Sequence, residues 1–527
     1  MQAFAALLDD LSYAPRRNDK LALMEVYFRT APDPNRGWAL SALTGGLPLR
    51  LPLRRILLDL MTEKIDPVLY RMSRDYVGDT AETVALLWPA ATETGTPLRL
   101  GEVVALVMEA SKAELPAVIG RLLDGMTIRE RWAFLKLLGG APRVGVSAKL
   151  AKTALAAAIG RDLAEVEEIW HGLKPPYIPL FAWGVGSAPR PAVNATALFR
   201  PIMLAVPLED DDVATFAVND FAAEWKWDGI RVQIAAGDGA ARIYSRTGDD
   251  IGAAFPDVAD AFAGQSLVAD GELLVARAGV IAPFAELQQR LNRKSVGAEM
   301  IRRYPAFVRL YDLLLLGNDD LRALPFVERR KRLEAWHGHG PPRGTDLSEL
   351  IAFERLSDLS RLRDGARAAG IEGIMLKRKN SPYIGGRPKG HWFKWKRNAL
   401  TLDCVLMYAQ RGSGKRSSYY SDYTFGVWRD GGERRELVPI GKAYSGFTDD
   451  ELRELDRFVR QNTIEQFGPV RSVKGSLVFE VAFDAIQPSK RHKSGLAMRF
   501  PRIKRIRWDK PADEADTLAA AQALRGN

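Results

Sequence analysis

One eight-residue stretch constrains this chain more than any other: Glu224-Trp225-Lys226-Trp227-Asp228-Gly229-Ile230-Arg231. Side chains on a strand alternate faces with a period of two. Glu224, Lys226 and Asp228 therefore share one face, and Trp225 and Trp227 share the other. The first face is polar enough to line a pocket, and the second is apolar enough to pack in a core. Gly229 lets the backbone turn before Arg231. A free lysine titrates near ~10.4 and attacks only as the neutral amine. Nearby cations and partial burial favour that form. In this arrangement Lys226 can act as a nucleophile and Arg231 as a phosphate clamp, which suits covalent transfer of a nucleotidyl group. The bland alternative is a surface Lys and Asp before a Gly turn, so the reading depends on what the rest of the chain supplies.

A chain of 527 residues is too long for one ordinary core and predicts about three domains. With 47% hydrophobic and 27% charged residues it is globular rather than disordered. A net charge of +10 favours an anionic partner, most simply nucleic acid, though charge alone does not separate DNA from RNA or a membrane surface. The single cysteine, Cys404, excludes an internal disulfide and a cysteine-rich zinc site. Met1 to Asp10 meets acid early and lacks the pattern of a signal peptide. No run of about 18 apolar residues predicts a membrane span. The expected location is cytoplasmic. His337 and His339 sit in a Gly/Pro-rich stretch that reads as an exposed loop without a metal role.

Three regions differ in pattern. Residues 1–193 read as helical, with Ala/Leu-rich segments such as Leu150 to Trp170 carrying apolar residues at three- and four-residue spacing and Ser147 placed as a cap. Arg50, Arg54, Arg55, Arg129, Arg131, Arg143, Lys149 and Lys152 lie beside apolar residues there, and taken singly each reads as ordinary solvated helix surface. The Pro- and Gly-rich stretch from Pro175 to Pro191 reads as the approach to a linker. Residues 194–398 show short alternating apolar runs with Gly/Asp turns, predicting an α+β domain on antiparallel strands. Residues 399–527 predict a small β domain, for which a five-stranded barrel of the oligonucleotide-binding type is the natural expectation.

The middle region carries further chemistry. Arg246, in the turn Ser245-Arg246-Thr247-Gly248, is placed to reach a sugar or phosphate. Asp270-Gly271-Glu272 offers Glu272 to ribose or metal, although Asp-Gly is also the commonest hairpin signal. Tyr311, in an apolar strand, is placed to stack on a base or to fill the core. Glu372 and Lys377 frame the run Gly373-Ile374-Met375-Leu376, a pattern that calls for a ligand at each end or solvent at both. Glu272 with Glu372 suits Mg²⁺, which prefers carboxylate and phosphate oxygens. Lys394 and Lys396 fall on one strand face, where two ammonium groups repel unless an anion lies between them. An edge strand guarded by charge is the alternative. The run from Lys490 to Lys510 is dense in basic residues and suits phosphate contact. Gly412-Ser413-Gly414-Lys415-Arg416 only superficially looks like a P-loop: Ala409 stands where Gly is required, and Arg416 where Ser or Thr is.

Taken in order, Lys226-Trp227-Asp228-Gly229-Ile230-Arg231, Ser245-Arg246-Thr247-Gly248, Asp270-Gly271-Glu272, Glu372-Gly373-Ile374-Met375-Leu376-Lys377, Trp392-Phe393-Lys394-Trp395-Lys396 and Arg499-Phe500-Pro501-Arg502 resemble the motifs of the ATP-dependent DNA ligases. The closest likeness is to the bacterial enzymes with an N-terminal helical DNA-binding domain. The resemblance implies a multidomain fold: an all-α DNA-binding domain, an α+β nucleotidyltransferase domain with antiparallel sheets, and a C-terminal OB-fold β-barrel. It implies that Lys226 takes AMP as a phosphoramidate and that Glu224 contacts adenine. Arg231 and Arg246 then hold phosphate and ribose, and Tyr311 stacks on adenine where the family more often has Phe. Glu272 binds ribose and metal, and Glu372 supports the metal. Lys394 and Lys396 grip the α-phosphate, with Arg387 before that strand, though Pro388 departs from the family's Arg-Arg pair. Arg502 and Lys504 approach the ATP tail when the barrel closes. The implied cofactors are ATP and Mg²⁺, with Mn²⁺ as a substitute, and the implied partner is nicked duplex DNA, bound by a monomer. The pathway and any helicase or nuclease partners stay open. An RNA ligase or capping-type nucleotidyltransferase shares the lysine chemistry, and a non-enzymatic DNA-binding protein would share the charge.

Overall fold

The computed structural model describes all residues except 50, 90–96, 141, 192–196, 209–215, 292, 294, 367–369, 413–418, 432–433 and 526–527. Arg50 of the basic set and most of the P-loop look-alike therefore lie outside the described residues. The chain forms two compact units: one of Met1–Leu163, Lys174–Pro191 and Ala399–Asn527, the other of Ala164–Leu173 and Ala192–Asn398.

The N-terminal part of the first unit is helical, from Gln2–Tyr13 to Ile178–Gly184. The stretch read as one amphipathic segment is two helices, Ala148–Ala158 and Leu163–Trp170, the second belonging to the second unit from Ala164 on. Ser147 caps the first by accepting from Leu150 N at 3.2 Å, and that helix buries Leu150, Ala151, Ala154 and Leu155. The Pro-rich stretch is not a linker approach throughout. It contains the helix Ile178–Gly184, which buries Leu180, Phe181 and Trp183, and Arg36 lies 4.3 Å over the Phe181 ring. Arg131 is no surface residue: it is 3% exposed and donates to Leu123 O, Trp88 O and Pro89 O. No helix among the described residues is long and apolar enough to cross a membrane.

The second unit is built on two sheets. Its strands are β1 (Val206–Pro207), β2 (Phe221–Trp227), β3 (Ile230–Gly237), β4 (Ala240–Ser245), β5 (Leu267–Arg277), β6 (Val280–Ile281), β7 (Ala306–Leu316), β8 (Asp319–Asp320), β9 (Thr345–Leu347), β10 (Leu350–Ile351), β11 (Ile371–Arg378) and β12 (Trp392–Lys396). One sheet runs β1-β12-β11-β2-β10. The other runs β4-β3-β5-β7-β8, with β6 on β5 and β9 on β7. Pairing is antiparallel except for β1 with β12 and β7 with β9. Period-two patterning explains the layers. Phe221, Ala223, Ile374, Leu376 and Trp395 pack on the outer face of the first sheet. Val232, Ile234, Ala269, Leu273, Val308 and Leu310 pack on the outer face of the second. A third cluster lies between the sheets, with Ala235, Tyr244, Val268 and Leu314 meeting Trp392 and Met375.

The C-terminal part of the first unit contains β13 (Leu400–Arg411), β14 (Tyr420–Gly431), β15 (Arg434–Ala443), β16 (Thr463–Phe467), β17 (Val470–Val473), β18 (Val478–Phe483), β19 (Ala485–Pro488), β20 (Leu496–Arg499) and β21 (Arg502–Arg507). Seven of these strands, rather than five, form one curled antiparallel sheet. β13 pairs with β14 on one edge. On the other edge it pairs with β18 over Leu400–Val405 and with β17 over Tyr408–Gln410. The helix Asp449–Asn462, opened by a Thr448–Glu451 capping box, lays Leu455 and Val459 into the sheet's core.

Candidate active site

β2 belongs to one sheet and β3 to the other, so Asp228-Gly229 is the crossing between sheets rather than a hairpin turn within one. A Cβ on Gly229 would lie 2.6 Å from Leu273 O and 2.8 Å from Glu272 Cγ. Only glycine lets the chain cross this close to β5. The crossing puts Lys226, near the end of one strand, opposite Glu272 and Arg231, which pair in register across β3 and β5.

Lys226 donates to Glu372, and Lys396 lies 3.6 Å from the same carboxylate. The strand register explains this. Gly373 pairs with Lys226 on one side and Lys396 on the other. A Cβ at Gly373 would come within 2.3 Å of Trp395 O, so the three strands close only over glycine. Burial pushes the Glu372 carboxyl up, but Lys226, Lys396 and hydrogen bonds with Lys226 and Asp228 outweigh it and hold it below the ordinary range. Glu272 goes the other way. Burial drives it up to about 8, with Glu372 and Asp228 adding to the rise and Lys226 and Arg231 opposing it. Near neutrality Glu272 therefore carries a proton.

The cations predicted from sequence converge here. The Lys394 ammonium is pulled below its usual range by burial, then by Arg387, Lys396, Lys226 and Arg246 in that order. Arg246 and Arg387 are exposed and Lys394 is half-buried. Lys394 and Lys396 share a strand face as the alternation predicts, with Trp395 turned into the opposite core. Arg231 is rooted rather than free: it donates to Asp270 at 2.7 Å, to Tyr383 Oη at 3.1 Å and to Met203 O at 2.6 Å, while its Nε has no partner.

Further along β2, Glu224 is buried and paired with Lys377, whose Nζ lies 3.0 Å from it. Tyr311 lies over Lys377 at 4.3 Å and near Arg231 at 5.9 Å. Both ends of the Glu372–Lys377 run are thus held by side chains, and Lys377, at 1% exposure, is not a solvated strand end. Arg502 and Lys504 belong to the first unit, in β21, where Lys504 is 2.7 Å from Glu480 and Arg502 is 4.0 Å from Asp484.

Sequence reasoning missed five members of this network. Asp270, read as part of a turn, lies inside the eleven-residue β5 at 0% exposure, and Tyr383 donates to it at 2.5 Å. Lys377 was quoted in its motif but given no role. Asp312 and Arg329 form an ion pair at 2.8 Å with neither side chain exposed. Trp225 packs in the core as expected, while Trp227 lies under the Arg309 guanidinium at 4.2 Å. His337 is in the last turn of the helix Phe326–Gly338, not in a loop.

Among the described residues no three His, Cys, Asp or Glu side chains form a ready metal cluster. Two carboxylates, Glu272 and Glu372, face each other from opposite sheets. That donor set fits Mg²⁺, which keeps several waters and takes one or two carboxylates with substrate phosphates.

A lysine with carboxylates beside it and cations around it is built for a nucleotide's phosphates, and the class is that of the nucleotidyltransferases. Residues 202–396 match the family described as ATP dependent DNA ligase domain, and residues 416–510 match the ATP dependent DNA ligase C terminal region. A probable DNA ligase of Koribacter versatilis is 33% identical over 99% of this chain and 96% of its own length. The DNA ligase 1 of Korarchaeum cryptofilum is 33% identical over 81% of this chain and 79% of its own length. A solved structure titled Pmar-Lig_PreS3 shares the fold with a TM-score of 0.59 at 16% identity, covering 96% of this chain and 99% of that one. The chain belongs to the ATP-dependent DNA ligases. It uses ATP to seal DNA nicks through an adenylate intermediate, and the RNA-directed and non-enzymatic alternatives give way to that activity.

Proposed function

We propose that Lys226 is the residue that carries AMP, and that Arg231, Arg246, Glu272, Tyr311, Arg387, Lys394 and Lys396 hold the nucleotide around it, with Glu224 toward the base. The observation that carries this is the Lys226 ammonium seated on Glu372 within the ring of cations. Lys226 leaves Glu372, releases its proton to solvent and attacks the α-phosphorus as the neutral amine. An N–P bond forms, the bond to the bridging oxygen breaks and pyrophosphate departs. The AMP then passes to the 5′-phosphate at a nick, and the 3′-hydroxyl attacks that phosphate and releases AMP. Lys394 and Lys396 neutralise the α-phosphate as charge spreads over its oxygens, and Arg246 and Arg387 orient the rest. Glu272 and Glu372 would hold Mg²⁺ or Mn²⁺, which would supply further charge neutralisation. Glu272, held protonated by burial, would have to release its proton to act as a ligand.

In this reading residues 1–193 bind duplex DNA, residues 194–398 perform adenylyl transfer and residues 399–527 form an OB-type barrel whose Arg502 and Lys504 meet the ATP tail on closure. The substrate is nicked duplex DNA from repair, replication or recombination, contacted mostly through its phosphates by a monomer. The test is incubation with α-labelled ATP and Mg²⁺, a denaturing gel, and a chase with nicked DNA. Wild type takes label and nicked DNA discharges it with sealing, whereas Lys226→Ala takes none. Label on Lys226→Ala assigns the nucleophile elsewhere. Label that only RNA ends discharge reassigns the substrate.

A further inference from the structure

The turn that presents Arg246 rests on a side chain from a distant part of the sequence. Ala164–Leu173 belongs to the second unit, although Leu163 before it and Lys174 after it belong to the first. Two contacts hold this stretch on its host. Glu168 pairs with Arg322 at 3.3 Å, and Arg322 is itself held by Asp320 at 2.5 Å. Beyond the helix Leu163–Trp170, the His171 ring packs on Phe199, with centroids 4.9 Å apart, and on Tyr244, at 5.5 Å. Phe199 and Tyr244 also meet at 5.5 Å, so the three rings form one cluster at the end of β4. Tyr244 is anchored by donating its hydroxyl to Ala197 O at 2.9 Å.

The Arg246 turn follows Tyr244 directly. Its shape comes from its own bonds: Gly248 N donates to Ser245 O at 2.9 Å, Ser245 N to Asp249 O at 2.8 Å and Asp249 N to Ser245 Oγ at 3.2 Å. Its seat comes from His171. Gly248 has a φ of +85°, and a Cβ there would lie 2.7 Å from His171 Cε1, 2.8 Å from its Nε2 and 3.2 Å from Phe199 Cε1. The imidazole therefore fills the space directly against the turn's backbone. Arg246 is exposed and makes no hydrogen bond or ion pair among the described residues. Its direction is set by the backbone that carries it, and its charge reaches Lys394 across the site, where it helps to hold that ammonium below its usual range. We propose that His171 is a positioning residue for nucleotidyl transfer: its ring seats the 245–249 turn so that Arg246 points at the nucleotide bound beside Lys394. This rests on the reading that Arg246 holds the nucleotide. A clamp displaced by about an ångström loses much of its effect on rate, by up to about a hundredfold. Adenylyl transfer then depends on a residue outside 194–398, lent by the N-terminal third of the chain.

The experiment measures the rate of lysyl-AMP formation over a range of ATP concentrations in the whole chain. The proteins compared are wild type, His171→Ala, His171→Phe, Arg246→Ala and the double variant His171→Ala/Arg246→Ala. His171→Ala is expected to lower kcat/KM about tenfold, and His171→Phe, which keeps a ring against Gly248, to retain most of it. In the Arg246→Ala background the loss of His171 is expected to cost less than about twofold more, because the two residues act as one unit. Losses that multiply in the double variant overturn the proposal and make His171 a brace of the fold. If His171→Ala lacks a cooperative thermal transition, Gly248→Ala, which forces the turn off the ring from its own side, takes its place in the same cycle. Arg246→Ala that labels as wild type removes the nucleotide reading of Arg246 and this inference with it. Arg246→Ala that is impaired beside an unimpaired His171→Ala removes this inference alone.

Discussion

Glu272 and Glu372 show how two residues of one chemical type in one site are set to different states. Glu372 has two ammonium partners and stays ionised, while Glu272 lies in the crossing's lee, with burial as the dominant influence, and titrates at about 8. A carboxyl whose folded value is raised from 4.5 to about 8 binds its proton more tightly folded than unfolded. It is neutral with respect to stability below about 4.5, and penalises the folded state progressively as pH rises toward 8. Glu272→Gln removes that penalty. Its melting temperature relative to wild type should therefore rise between pH 5 and pH 9 in metal-free buffer while its adenylylation falls. A constant difference across that range would show that Glu272 ionises freely in the folded protein. The Asp312–Arg329 pair obeys the opposite logic, since neither side chain has solvent to fall back on. Asp312→Asn leaves an uncompensated guanidinium, and chemical denaturation should record a loss of about 3 kcal/mol or more.

At the scale of elements, the site exists because β2 passes to the other sheet over two residues. Gly229→Ala would press a methyl against Leu273 O and Glu272 Cγ, where the backbone carbonyl cannot yield. It should destabilise the second unit by about 2 kcal/mol and slow lysyl-AMP formation more than ATP binding, because the strain lies between Lys226 and Arg231. Unchanged labelling rates would mean that β3 shifts to accommodate the methyl. The alternation of Lys226 with Trp225, and of Lys394 with Trp395, was legible in the sequence because period two is a local property of a strand. What was not legible depended on distant partners. Asp270-Gly271 has the local signature of a turn, but β3 and β7 pair with it on both sides and keep it extended. Lys377 looks like a strand-end charge until Glu224, 153 residues earlier, closes over it. The seven-stranded C-terminal sheet was likewise underestimated, because β13 splits one edge between two partners and a one-dimensional pattern counts strands, not pairings.

At the scale of the whole molecule, the basic residues singled out from the sequence are divided between the two units. Lys226, Lys394 and Lys396 lie in the second unit. Arg502 and Lys504 lie on β21 of the first, exposed and paired with Asp484 and Glu480. Such surface pairs contribute little to stability, so neutralising Arg502 should leave the fold intact and expose its function. If Arg502 meets the ATP tail, Arg502→Ala slows lysyl-AMP formation at least about tenfold, the loss of a charge-assisted phosphate contact. Sealing of a nick that already carries AMP on its 5′-phosphate needs no ATP and should proceed at the wild-type rate. Salt separates this from a DNA contact. Duplex binding by a chain this basic loses affinity steeply as salt rises, with a slope set by the number of phosphates neutralised. A residue that touches DNA would reduce that slope by about one when removed, whereas an ATP-tail residue leaves it alone. Arg502→Ala with normal labelling, impaired sealing of the pre-adenylylated nick and a shallower salt slope would move Arg502 from the nucleotide to the DNA backbone.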